Sequence, residues 1–178
     1  MYLSKNNTVK YIYIFCFSLF LMFVSLVLIN NFNKIDIFPN LSIIALIYIS
    51  AYTDVYSGAI LSYLIFYIYG SMTVLNPAAF SLVGIASYSV AYILWRKVSA
   101  ENGVNEILIT FFVSTVYYFI LFLIVFYSLG MHFNYWNFFL LYSLPVSITT
   151  SLISPPLFFI FKKIGFKNFL KRNKIILD

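Results

Sequence analysis

Few side chains in this sequence are of a type that could do chemistry, and their spacing limits what they could do. His132 is the only histidine and Cys16 the only cysteine, so no intrachain disulfide, Cys-rich metal site or His-based triad can be assembled. Asp54 is the only charged residue between Asp36 and Arg96, and it either marks a turn at a membrane surface or offers a contact point. Glu101 and Glu106 flank a polar segment and the helix start that follows it. His132 sits beside Tyr135 and Trp136 in a short loop, where it reads as an ordinary interfacial side chain. No carboxylate pair and no metal-ligand cluster emerges, so the expectation is a non-enzyme with no catalytic residue, cofactor or metal.

Two groups of uncharged residues carry more information. Ser81, Gly84, Ser87 and Ala91 follow at spacings of 3, 3 and 4, which puts them on one face of a helix. Such a small-residue stripe lets another backbone approach closely, either within this chain's own bundle or on a partner's helix. Ser147, Ser151 and Ser154 recur at helical spacing beside Thr150, just before Pro155 and Pro156. Their hydroxyls can satisfy carbonyls that the prolines leave without a donor, or they can face a ligand where a helix is broken.

The elements that carry these residues follow from where charge is missing. The chain is 63% hydrophobic and only 9% charged, against roughly a quarter charged in ordinary soluble domains. A water-soluble domain of 178 residues cannot cover its surface this way, whereas a bilayer requires it. The net charge of +6 lies at the edges of apolar runs, which is how membrane proteins fix their orientation, so no nucleic-acid partner is expected. Cys16, within an apolar run, is expected to be a small buried hydrophobe. The 22% aromatic content reads as compositional bias, which warns against treating every tyrosine as functional.

The fold expected is all-α: a single polytopic membrane domain over residues 1–165 with six transmembrane helices, near 11–29, 40–53, 59–75, 78–95, 107–129 and 138–161. A basic cytoplasmic tail follows over 166–178. The first run lacks a small-x-small exit and reads as a retained helix rather than a signal peptide. Pro39 suits the first turn of the second helix, and Asn76-Pro77 signals the start of the fourth. The second helix is short for a span, so residues 40–75 either tilt, thin the bilayer, or form a re-entrant hairpin. Ser57-Gly58 reads as the turn into the third helix, Val98 to Glu106 as a surface loop, and the sixth helix as broken at Pro145 and at Pro155-Pro156. The fifth is bulky and apolar nearly all round and is expected to face lipid over much of its surface. With the N-terminus inside, Lys5, Lys10, Arg96, Lys97, Lys162, Lys163, Lys167, Lys171, Arg172 and Lys174 share one side. That is ten of the 11 basic residues, with only Lys34 opposite, so both ends are expected in the cytoplasm.

Pro39-Asn40, Ser57-Gly58-Ala59, Asn76-Pro77-Ala78, Gly84, and the closing Pro145 with Ser154-Pro155-Pro156-Leu157 resemble the bacterial rod shape-determining protein MreD family over about residues 10 to 165. Asn40 stands where that family usually has Asp, and the family's Asp near the end of the third helix has no counterpart around Gly70. The resemblance implies a non-enzymatic scaffold of the cell-elongation and peptidoglycan-synthesis machinery in the bacterial inner membrane. Its implied partners are membrane lipid, a MreC-like protein, the actin-like MreB and the RodA–transpeptidase pair. The resemblance and the turn signals together make Pro39, Asn40, Gly58, Asn76, Pro77, Ser81, Gly84, Ser87 and Ala91 the candidate partner-interface residues. The MreD fold is also similar to the substrate-binding subunits of energy-coupling-factor vitamin transporters. That alternative is disfavoured by the bulky first helix, where only Cys16, Ser18 and Ser25 are small.

Overall fold

The structure is a computed structural model and describes residues 5–31, 38–73, 76–98, 103–129 and 135–164. Among these residues all regular structure is helical: α1 (Lys5–Asn31), α2 (Leu41–Tyr52), α3 (Val55–Ser71), α4 (Pro77–Lys97), α5 (Gly103–Leu129), α6 (Tyr135–Phe138) and α7 (Leu144–Ile164). A π-helical segment, Phe139–Ser143, joins α6 to α7, so residues 135–164 form one continuous rod. Lys10–Leu28, Pro77–Lys97, Gly103–Tyr127 and Trp136–Ile160 are each long and apolar enough to cross a membrane, the mark of a multi-pass membrane protein; α2 and α3 are shorter apolar helices.

The bundle is arranged around α2. This helix is apolar on every face, and of its residues only Ala51 is not fully buried. It packs against α1, α3, α4, α5 and α7. A helix hydrophobic all round belongs in a core. At 12 residues it is about 18 Å long, too short to cross a hydrocarbon core of about 30 Å alone. Its neighbours enclose it.

Each polar break between Asp36 and Lys97 supplies an N-cap. Asn40 Oδ1 accepts from the Ser42 N–H (3.1 Å), Asp54 Oδ2 from the Ser57 N–H (3.2 Å), and Asn76 Oδ1 from the Ala78 N–H (2.9 Å). Pro77 follows in the first turn of α4, where its missing N–H is harmless. The expected third-helix start is corrected here: α3 begins at Val55, so Ser57-Gly58 lies in its first turns rather than before it. It ends at Ser71, not Leu75, and the Thr73 hydroxyl donates to the Gly70 carbonyl (2.9 Å) where the helix stops.

The last rod also differs from expectation. It does not break at the prolines. Pro155 cannot donate to the Ser151 carbonyl, and the Ser154 hydroxyl donates to it instead (2.8 Å). The irregularity lies upstream, where the Leu144 N–H reaches back to the Phe139 carbonyl in π-helical spacing just before Pro145. Helix α5 starts earlier than expected, at Gly103, which draws Asn105 and Glu106 out of the supposed loop and into its first turns. It turns Ile109, Thr110, Val113, Ser114, Tyr117 and Tyr118 inward, leaving Leu108, Phe112 and Phe119 outside. Cys16 is exposed on α1 rather than buried.

The start of α1 and the end of α7 share one end of the bundle. Tyr11 near the start of α1 meets Asp54 at the α2–α3 turn, Tyr88 of α4 reaches the same turn, and Gly103 at the start of α5 lies near Pro155 of α7.

Candidate functional site

A connected group of buried polar side chains surrounds the first turn of α2. The chain approaches through Phe38 and Pro39, both half-buried, and Asn40 is extended (φ −88°, ψ 94°) and 6% exposed. Its backbone N–H donates to Thr150 Oγ1 on α7 (2.9 Å), and its Nδ2 donates to Tyr118 Oη on α5 (3.0 Å). Its Oδ1 accepts from both the backbone N–H and the hydroxyl of Ser42. Thr150 in turn donates to the Val146 carbonyl (2.6 Å), and nearby Ser114 of α5 donates to Ser147 of α7 (3.0 Å). The Tyr69 and Tyr117 hydroxyls stand around Ser42, and the Tyr117 and Tyr118 rings meet edge to face at 5.3 Å.

Tyr118 lies near the middle of α5, so α2 begins partway through the bundle rather than at its rim. A helix start there exposes N–H groups that no water can satisfy, and one asparagine with its hydroxyl neighbours closes them. The cluster thus fixes α2 to α5 and α7 by hydrogen bonds with defined geometry.

A second group forms the seam between α3 and α4, the most extensive helix pairing among the described residues. A Cβ added at Gly84 would lie 2.6 Å from Phe66 Cγ, and one at Gly70 would lie 2.7 Å from Pro77 Cα. A Cβ at Gly58 would meet the Tyr88 hydroxyl at 2.1 Å. Ser81, Gly84, Ser87 and Ala91 are all buried within the bundle. Of the two readings of this stripe, internal packing is the one the structure contains: Phe66 fills the hollow at Gly84, and the stripe offers no free face to a partner. Gly58 and Asn40 are likewise buried and inaccessible. Among the candidate interface residues Asn76 alone is exposed, while Pro39 and Pro77 are half-buried.

The third group is the junction at Asp54. Tyr11 Oη donates to Asp54 Oδ1 (2.5 Å), the Ser57 hydroxyl donates to Oδ2 (3.0 Å), and Tyr88 Oη donates to the Asp54 carbonyl (3.0 Å). Partial burial pushes the Asp54 carboxyl up, but the hydrogen bonds from Tyr11 and Ser57 outweigh it and hold the group below its ordinary value. Asp54 is therefore both a helix cap and a tie between α1 and α3, more than a charge marking a turn.

His132, Glu101 and the tail beyond Ile164 lie outside the described residues. Glu106 does not border a solvated loop: it is 3% exposed in the first turn of α5, within electrostatic reach of Tyr52. Ser147, Ser151 and Ser154 bond Ser114, the Ile148 carbonyl and the Ser151 carbonyl respectively, so they serve the helices themselves. The tyrosines around Asn40 were missed because nothing in a run of aromatic and aliphatic residues singles out Tyr118. The available signal was geometric: an Asn-capped helix too short to span needs donors and acceptors from its neighbours.

Among the described residues no three His, Cys, Asp or Glu side chains come close enough to hold a metal ion. No protein-family model, curated protein or solved structure matches the chain.

Proposed function

We propose that this chain is a non-enzymatic scaffold in a bacterial inner membrane, of the MreD kind that Pro39-Asn40, Asn76-Pro77-Ala78 and Gly84 resemble. It crosses the membrane six times. Both ends face the cytoplasm, because the bundle end that holds Lys10, Arg96 and Lys97 is also the end where α7 finishes with Lys162 and Lys163. It binds a MreC-like protein laterally and, through it, joins MreB and the RodA–transpeptidase pair. The observation that carries this reading is the closure of the core. The polar groups around Asn40 bond one another and fix a central helix, which makes a rigid body whose outer faces are left for lipid and protein. The test is co-purification from native membranes with a tagged MreC-like protein, together with depletion in the source cell. Recovery of that protein and loss of cell elongation support the scaffold; normal shape and no recovery overturn it.

A second reading has its own observation. Helix α2 starts partway through the bundle beside hydroxyls and an amide, as discontinuous helices do at transporter substrate sites. That reading gives the substrate-binding subunit of an energy-coupling-factor type transporter. It expects a vitamin-sized molecule bound in equal amount after gentle detergent extraction, which native mass spectrometry detects.

A further inference from the structure

The cations at the end of the bundle where α4 finishes are not alike. On the membrane reading above, which this inference rests on, Lys10 opens the span of α1 while Arg96 and Lys97 close that of α4, so all three stand at headgroup level. Lys10 is half-buried, with its ammonium 6.0 Å from the centre of the Tyr11 ring. The Arg96 guanidinium lies over the Tyr92 ring, 5.0 Å from its centre, and Tyr92 packs in turn on Tyr88 at 6.0 Å. Tyr11 and Tyr88 both bond Asp54, the first at its carboxylate and the second at its backbone carbonyl. An unbroken run of contacts therefore joins Lys10 to Arg96 across α1, the α2–α3 turn and α4. Lys97, one residue on and about 100° round the helix, is exposed and has no part in that run.

Neither Lys10 nor Arg96 makes an ion pair among the described residues. Asp54 is within electrostatic reach of Lys10, but its two oxygens are taken by the Tyr11 and Ser57 hydroxyls and the Ser57 N–H. Two cations against one carboxylate leave one positive charge unbalanced around the turn. We propose that Lys10 and Arg96 bind the phosphodiester of one anionic phospholipid of the cytoplasmic leaflet, with a headgroup of single negative charge such as phosphatidylglycerol. A guanidinium laid on a ring keeps its edge donors free and fixed in direction, which suits two-point bonding to phosphate oxygens. Holding it beforehand removes much of the ordering cost that a loose surface cation would bear. At Lys10, half-burial has already removed part of the water around the ammonium, and an anion replaces it at full strength. The one charge of the lipid balances the one left over, which a zwitterionic headgroup does not do.

The test is native mass spectrometry of the purified full chain in mixed micelles, offered phosphatidylglycerol and phosphatidylcholine in equal amounts. At about 0.15 M ammonium acetate, charges more than roughly 8 Å apart are screened, so diffuse attraction is suppressed. The native chain should retain phosphatidylglycerol preferentially. Lys10→Gln and Arg96→Gln should each lower that retention about fivefold. Arg96→Lys keeps the charge but not the flat stack on Tyr92, and should lower it about threefold. Lys97→Gln, next to Arg96 and of the same charge, should change it by less than about twofold. Equal retention of the two lipids overturns the proposal. So does a loss at Lys97→Gln as large as that at Arg96→Gln, or an Arg96→Lys chain that keeps its lipid. Displacement of the lipid by excess inorganic phosphate would assign the site to a free anion and overturn it as well. Retention is read on the chain alone, which separates this site from the scaffold reading. Lipid selectivity without recovery of the MreC-like protein defeats the scaffold alone, and recovery of that protein without lipid selectivity defeats this site alone.

Discussion

Asn40 concentrates the energetics of the central helix in one side chain, so its removal has a calculable cost. In Asn40→Ala the Ser42 N–H loses its cap, and the loss of an N-cap costs about 0.5–2 kcal/mol. The Ser42 hydroxyl and Tyr118 Oη also lose partners in a buried site, and a stranded buried polar group costs about 1–3 kcal/mol. Because the hydroxyls can turn toward one another, the total should fall near 2–4 kcal/mol rather than at the full sum. Tyr118→Phe removes only the 3.0 Å acceptor of Nδ2 and should cost about 1–2 kcal/mol. In the double variant the stranded Nδ2 is gone, so its cost should be about 1 kcal/mol smaller than the two single costs added. The assay is reversible unfolding of the full chain in mixed micelles, read by near-UV circular dichroism and fitted as a double-mutant cycle. Strictly additive costs would refute the coupling of Asn40 to Tyr118. A fully stable Asn40→Ala would refute the whole account of how α2 is held.

Three further perturbations follow from named contacts. Gly84→Ala forces a Cβ to within 2.8 Å of three Phe66 atoms, so it should destabilise the bundle by about 1–3 kcal/mol, and Gly84→Leu should abolish recovery of folded protein, as gel filtration would show. Ser62 and Ser87 are buried with hydroxyls that have no partner among the described residues, so Ser62→Ala and Ser87→Ala should leave thermal stability unchanged or raise it; a clear fall would mean the hydroxyls are bonded. Asp54 is held below its ordinary value of 3.8, so its contribution is fully present above that value and fades as pH falls through the lower folded one. The difference in melting temperature between the native chain and Asp54→Asn should therefore be constant from pH 7 to about 5 and shrink below about 4. A difference that grows on acidification would contradict that sign.

Much of the helical layout was legible because lipid-compatible chains announce their ends. A single Asn, Asp or Asn-Pro between apolar runs can do little but cap a helix, and Asn40, Asp54 and Asn76 all do so. The place of α2 was not legible, since a run that is apolar on every face shows no periodicity to say which side faces what. Gly58 misled because Ser-Gly is a turn signal locally, while the reason for glycine there is the Tyr88 hydroxyl, distant in sequence. The stripe from Ser81 to Ala91 was visible as a close-approach surface, but only Phe66 settles that the approaching helix is α3. Pro155 looked like a break because sequence rules count the lost N–H and not the Ser154 hydroxyl that replaces it as donor. Glu106 looked solvated for a related reason: local polarity marks a loop, whereas its burial depends on where α5 starts.

The account depends most on six crossings with both ends in the cytoplasm, and accessibility of introduced cysteines tests that directly. In the Cys16→Ser background, Asn76→Cys and Lys97→Cys mark opposite ends of α4, and a cysteine added after Asp178 marks the carboxyl end. A membrane-impermeant maleimide applied to intact cells should label Asn76→Cys and leave the other two unlabelled until the membrane is opened. Labelling of Lys97→Cys or of the carboxyl end in intact cells, with Asn76→Cys protected, would contradict it.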